Sequence, residues 1–282
     1  ELQMYDTVDF NLNIFVKEIV VRNLEGRDRE VRLFFNHDFH IYENEVGDTA
    51  YYDPDTMAII HYKSQRYFLI NCCDPAKCGI DHFATGIKEV AGAEGTWRDA
   101  EDGTLSGNPI AQGSVDSTLG INLRIKAHGE NVAHYWIAAG TKYSEVVKLN
   151  KDIWEKTPEE LIRRTENYWK LWVNKEMFNF HDLPQRFVSF FKRSLLIIRT
   201  QIDNNGAIIA ANDSDIVQLG RDTYSYMWPR DGALVAYALI KSGYMDATKR
   251  FFQFCADVIS KDGYLLHKYN PDRSFASSWH PW

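Results

Sequence analysis

"YSYMWPRDGALVAYALI", residues 224–240, sets Tyr224, Tyr226 and Trp228 ahead of Pro229 and an adjacent Arg230–Asp231 pair, then runs apolar from 233 to 240. A proline followed by unbroken apolar residues opens a helix, and Gly243 closes it. A helix that is apolar on every side is surrounded by other protein, so this one is expected to be buried all round. The helix before it, near 183–202, repeats Phe187, Phe190, Phe191, Leu195 and Ile198, leaving Arg186, Lys192, Arg193 and Arg199 for solvent. The helix after it starts with Asp246 as N-cap and runs through Phe251, Phe254, Cys255 and Val258, with Lys249, Arg250 and Asp257 outside. Half-exposed, fully buried, half-exposed is the order that two concentric rings of helices require. A large irregular helical domain meets it too.

Upstream the period changes. From Asn11 to about Leu149, short runs such as "NIFVKEIVVRN", "REVRLFFNHDFHIY", "RYFLINCC" and "NVAHYWIAAG" are rich in β-branched and aromatic residues and broken by Gly, Asn and Asp. They predict an antiparallel β-sandwich. Helical grammar begins at "TPEELIRRTENYWKLW", where Thr157 and Glu160 form a capping box and Pro158 takes the first helical position. The division expected is a sandwich over 1–153, a helical linker over 154–182 and a helical domain over 183–282, a β + α multidomain chain.

Composition narrows the function. The net charge of −7 over 282 residues, with no run of five like charges, gives no electrostatic footprint for nucleic acid or an anionic membrane. No apolar stretch reaches the ~18 residues that cross a bilayer. The four cysteines are too few and too scattered for a disulfide framework, which favours reduced thiols and a cytoplasmic setting. "CCDPAKCGIDH" gathers Cys72, Cys73, Cys78 and His82, but adjacent cysteines point to opposite faces of a strand and no CxxC spacing is present. We read small buried thiols there, no metal site and no cofactor.

The Arg230–Asp231 pair ends a polar connection from Asp203, and a connection that long inside a compact domain is usually functional. In one reading Asp231 caps the helix and Arg230 lies on the surface. In the other, the mouth of the rings is concave: Arg230 and Asp231 grip vicinal hydroxyls while Trp228, Tyr226 and Tyr224 stack on an apolar sugar face. A buried pair would then keep both groups charged. His267 and His280 read as satisfied structural histidines. Asp99, Glu101 and Asp102 in "GTWRDAEDG" read as a solvated or docking loop of the sandwich half.

The segments "YMWPRDGALVAYALIKSGY", "LLHKYNPDRSFASSWHPW", "VRLFFNHDFHIYENEVGDTAYYDPD" and "GTWRDAEDGTLSGNPIAQGSVDS" resemble the prokaryotic glucoamylase-type members of glycoside hydrolase family 15, over nearly the whole chain. The resemblance implies a β-supersandwich, a helical linker and an (α/α)6 barrel that releases glucose with inversion from non-reducing α-glucosyl ends. Trp228, Arg230 and Asp231 match the family's WxRD segment at the terminal-glucose subsite; Lys268 and Trp279 match a later Lys and Trp of the same pocket. The partner implied is an α-glucan or oligosaccharide. Inverting hydrolysis needs two carboxyl groups ~6.5–9.5 Å apart. In the family both glutamates come from segments beyond the one resembling "SSWHPW", so no catalytic residue is assigned here, and the chain is expected to be a fragment at both ends, inactive by itself. The same grip suits a trehalase, a glucodextranase or a non-catalytic carbohydrate-binding protein.

Overall fold

In the computed structural model, which describes residues 1–44, 46–176, 178–212 and 224–276, the chain divides into two units, Glu1–Tyr168 and Trp169–Trp282. The first contains eleven strands among its described residues: β1 (Leu2–Val8), β2 (Ile14–Arg22), β3 (Arg29–His37), β4 (Asp48–Asp53), β5 (Ala58–Lys63), β6 (Arg66–Asp74), β7 (Lys77–Cys78), β8 (His82–Ile87), β9 (Ile110–Gly113), β10 (Val115–Ile125) and β11 (Glu130–Gly140). They form two antiparallel sheets. The larger runs β1-β2-β11-β6-β5-β4-β9, with β7 on β6, and the smaller runs β3-β10-β8.

The larger sheet is buried on both faces, and residue parity along each strand decides which face. Ile19, Val21, Ile59, Ile70, Cys72 and Tyr135 meet Leu119, Ile121, Leu123 and Ile125 of the smaller sheet. Ile14, Val16, Ile60, Leu69, Cys73 and Trp136 turn the other way and meet Val146, Leu149, Ile153 and Leu161. The last four lie on α1 (Tyr143–Lys156) and α2 (Pro158–Asn174). Double burial is why "RYFLINCC" reads as a continuous apolar run instead of an alternating one. Cys72 and Cys73 therefore occupy different cores, and burial pushes the Cys73 thiol up to about 12 and Cys72 well above its ordinary value, so neither is a thiolate at neutral pH. Among the described residues no cluster of His, Cys, Asp and Glu is placed to hold a metal.

Helix α1 falls partly in residues expected to end the sandwich. Its buried Val146, Leu149 and Ile153 have helical spacing, but its N-cap is Lys142, without a side-chain cap bond. The usual start signal is missing there. At α2 the signal is present: the Glu160 N–H donates to Thr157 Oγ1 at 3.4 Å, and Pro158 is the first helical residue.

Between the two sheets lies a buried polar chain. Ser117 sits opposite His37 across β10 and β3. Its hydroxyl lies 3.2 Å from His37 Nδ1 and 2.7 Å from His61 Nε2, while His37 Nε2 pairs with the Tyr135 hydroxyl at 2.8 Å. Burial lowers the His37 imidazole to about 3, and burial, reinforced by coupling to His37 and by the Lys88 charge, holds His61 well below its usual range.

The second unit contains α3 (Gln185–Thr200), α4 (Pro229–Lys241) and α5 (Met245–Val258). Val173, Leu195, Ala236, Leu239, Tyr244, Phe251 and Phe254 share its core. The Tyr244 hydroxyl donates to the carbonyls of Trp172 and Val173, at 3.2 and 3.1 Å, and ties the end of α2 to the α4–α5 turn. Two expectations are corrected. Helix α4 is not buried all round: Gly232, Ala236 and Leu239 face the core, whereas Leu234 and Tyr237 are 66% and 61% exposed. On α3 the stripe of Val188, Phe191, Leu195 and Ile198 packs inward, and Phe187 and Phe190 lie outside. Each of these helices carries two apolar stripes and buries one. Asp246 is also not the cap of α5; Tyr244 precedes the helix and Asp246 lies in its first turn. No helix among the described residues is long and apolar enough to cross a membrane.

Acid should weaken the two-sheet unit. Both imidazoles stay neutral when folded but take up a proton near the ordinary 6.5 when unfolded, so the stability they contribute is complete above that value and is lost as pH falls toward about 3. The unfolding free energy of the 282-residue chain, measured by urea titration, should drop between pH 7.5 and 5 by at most about 1.4 kcal/mol per pH unit for each histidine. A flat profile over that range would contradict the buried neutral pair. The outward apolar stripes make a second forecast: produced by itself, this polypeptide self-associates. Sedimentation velocity should show concentration-dependent oligomers, and a monodisperse monomer would count against it.

Candidate functional site

The site begins with a short backbone ladder. Tyr-Ser-Tyr-Met-Trp alternates large side chains with period two, and its centre, Met227, is bridged on both sides. Met227 bridges Ile209 on one side and Tyr269 on the other, both antiparallel. Ala210 and Ala211 donate to the carbonyls of Tyr226 and Tyr224, each at 3.2 Å, and Met227 and Tyr269 exchange two hydrogen bonds of 2.9 Å. Met227 and Tyr269 are fully buried in the second unit's core. Their flanking residues must therefore face the other way. Antiparallel pairing of 227 with 269 sets Lys268 opposite Trp228 and diagonal to Tyr226.

The side chains follow that register. The Lys268 ammonium lies 4.0 Å from the Tyr226 ring centroid and 5.9 Å from that of Trp228. Tyr226 meets Trp228 edge to face, with centroids 5.6 Å apart and planes at 79°; Tyr224 lies 6.1 Å from Trp228 with the planes 36° apart. The three aromatics and the cation thus share one side of the ladder. Below it, the Tyr269 hydroxyl accepts from the Leu266 N–H at 2.8 Å and donates to the Val258 carbonyl at 3.3 Å, which anchors the segment bearing Lys268 to the end of α5.

Trp228 is also the N-cap residue of α4, so the ladder hands directly over to the helix. Pro229, Arg230 and Asp231 form the first turn. Arg230 Nη2 lies 3.7 Å from Asp231 Oδ2, with the two side chains 71% and 55% exposed. This corrects the buried pair, and it also removes Asp231 as the cap, because the cap makes no side-chain bond. The reason lies one residue further on. Gly232 turns inward, where a Cβ would sit 2.4 Å from Phe251 Cε2, so its two predecessors project outward. An exposed pair at that separation adds little to stability, and the carboxylate gains from the positive end of the helix. Both groups remain accessible to a ligand.

Of the residues singled out from sequence, Trp228, Arg230, Asp231 and Lys268 are thus described on consecutive pieces of one ladder-to-helix junction. Trp279, and with it His280, lies outside the described residues. His267 is half-buried beside Lys268. The acidic residues of "GTWRDAEDG" lie in the first unit: Glu101 receives Arg98 at 3.0 Å with both oxygens, and Asp99 and Asp102 accept the backbone N–H groups of Ser106 and Thr104. His82 pairs with Asn122 at 2.8 Å, apart from Cys72 and Cys73 in their two cores. Tyr269 and Gly232 were not anticipated as site residues. The period-two pattern of 224–228 was the available signal for the ladder, and it places Met227 on the buried side.

Residues 188–274 match the model of glycosyl hydrolases family 15. An uncharacterized glycosyl hydrolase of Methanocaldococcus jannaschii is 25% identical over 278 residues, 95% of this chain and 42% of the relative. The crystal structure of a bacterial glucoamylase complexed with acarbose aligns with a TM-score of 0.72 at 18% identity, covering 99% of this chain and 40% of that one. The chain therefore spans about two fifths of the length of these relatives. The likeness to glycosyl hydrolases family 15 is thus carried by residues 188–274, and the glucoamylase shares the fold.

Gly232 makes the site's dependence on packing measurable. In a helix, Gly→Ala ordinarily stabilises by about 0.5–1 kcal/mol. Here the added methyl must displace Phe251, and Gly232→Ala should instead cost about 1–3 kcal/mol, seen as a lower urea midpoint for the second unit. A raised midpoint would show that α4 and α5 do not pack as described.

Proposed function

We propose that the protein acts as an exo-acting, inverting α-glucoside hydrolase of glucoamylase type, releasing glucose from non-reducing ends of α-glucans. Trp228, Arg230, Asp231, Lys268 and Trp279 would hold the terminal glucose, and α3 to α5 would belong to an (α/α)6 barrel occupying 183–282, after a sandwich over 1–153 and a linker over 154–182. The observation that carries this reading is the junction itself: an aromatic face, an ammonium, a guanidinium and a carboxylate gathered where strand becomes helix. Carbohydrate recognition requires both kinds of contact, since a pyranose has apolar C–H faces and a rim of hydroxyls. The family match over the residues that build this junction, and the fold shared with a glucoamylase crystallised with acarbose, support it.

The four described residues act as binders. An arginine and a carboxylate at adjacent positions can each take one of two neighbouring hydroxyls. Inversion further needs a general acid and a general base ~6.5–9.5 Å apart, and we assign neither to Asp231, whose partner is Arg230. Because these residues address a single hexose, the linkage beyond it is not read here. Trehalose and α-1,6-linked dextran ends fit the same grip, as does binding without turnover. The unpaired cysteines favour a cytoplasmic setting.

Asp231→Ala in the full-length protein should reduce kcat/KM for glucose release from maltose by about 10- to 100-fold, the loss of a charged hydrogen bond to substrate, while the urea midpoint stays within error. Unchanged turnover would refute the assignment. Assays on maltose, isomaltose and trehalose in parallel separate the linkage alternatives, and binding of maltose without hydrolysis would point to a non-catalytic role.

A further inference from the structure

The aromatics of the junction do not all serve the same purpose. Tyr226 stands nearly perpendicular to Trp228, with 79° between their planes, so a hexose lying on the indole face would meet Tyr226 at an angle unsuited to stacking. Tyr224, tilted by 36°, extends the indole platform far better. The face of Tyr226 already has an occupant: the Lys268 ammonium at 4.0 Å, well inside the ~6 Å reach of a cation–π contact, against 5.9 Å to Trp228. Indole is the stronger cation binder at equal distance, but here Tyr226 is closer by nearly 2 Å and takes the larger share.

We propose that Tyr226 is a positioning residue: its ring holds the Lys268 ammonium in place, leaving Trp228 and Tyr224 as the platform for the sugar. This rests on the function proposed above and assigns its polar and apolar contacts to different residues. A lysine has four rotatable side-chain bonds, and fixing its ammonium on a ring face before ligand arrives lowers the ordering cost of binding. The backbone supplies the other half of the arrangement, because the paired hydrogen bonds of Met227 and Tyr269 put Lys268 in diagonal register with Tyr226.

The test uses the full-length protein with Tyr226→Leu, Tyr226→Phe and Lys268→Met, each alone, and Tyr226→Leu combined with Lys268→Met. Acetylation of Lys268 by acetic anhydride, followed by peptide mass spectrometry against an exposed reference lysine such as Lys151, should quicken about fivefold in Tyr226→Leu and return toward the parent rate in Tyr226→Phe. Maltotriose affinity should weaken about fivefold in Tyr226→Leu, recover in Tyr226→Phe, and fall no further when Tyr226→Leu is added to Lys268→Met. Unchanged Lys268 reactivity in Tyr226→Leu would overturn the proposal. So would an additive loss in the double variant, which would make Tyr226 a direct sugar contact. If the parent protein binds no maltotriose, the functional reading falls, and the acetylation series still decides whether Tyr226 holds Lys268.

Discussion

Two hydrogen bonds between the main chains of Met227 and Tyr269 organise the candidate site. They bring together segments more than forty residues apart in the chain and fix which side chains share a face. Met227 and Tyr269 are fully buried, and alternation across their bridge sets Tyr226, Trp228 and Lys268 on the opposite side. The arrangement of the candidate site follows from register, and register follows from which residues the core accepts. A slip of one residue would bury Trp228 and Lys268 and expose Met227.

The helix that follows is held by the same economy of shape. Gly232 is the point where α4 comes closest to Phe251, and a side chain there has no room. Arg230 and Asp231, just ahead, turn outward as a consequence of that contact. Their exposure matters for chemistry: a weakly coupled surface pair can exchange its mutual attraction for hydrogen bonds to a polyhydroxylated ligand at small cost, whereas a buried pair would resist separation.

Much of the fold was legible in the sequence because patterning and turn chemistry agreed locally. Thr157, Pro158 and Glu160 announced α2, and the β-branched runs announced two antiparallel sheets. Helix α1 was not legible, because Lys142 supplies no capping side chain and its apolar residues follow directly on those of β11. The burial of α4 was overestimated for a related reason. Composition shows that a helix is apolar on several sides, but only tertiary neighbours decide which side is covered, and Leu234 and Tyr237 are not. Within the site, Trp228, Arg230, Asp231 and Lys268 could be named from motif, but the division of labour among the aromatics could not. Interplanar angles of 36° and 79° distinguish Tyr224 from Tyr226, and spacing carries no information on ring orientation.

We propose that the junction of the ladder with α4 receives a single hexose end, its apolar face on Trp228 and its hydroxyls on Arg230, Asp231 and Lys268. The most direct measurement is a crystal structure of the full-length protein with acarbose bound. The account predicts a terminal ring stacked on the indole of Trp228 with hydrogen bonds to Asp231 and Lys268. A terminal ring bound elsewhere, with Trp228 and the Arg230–Asp231 pair facing solvent, would contradict it.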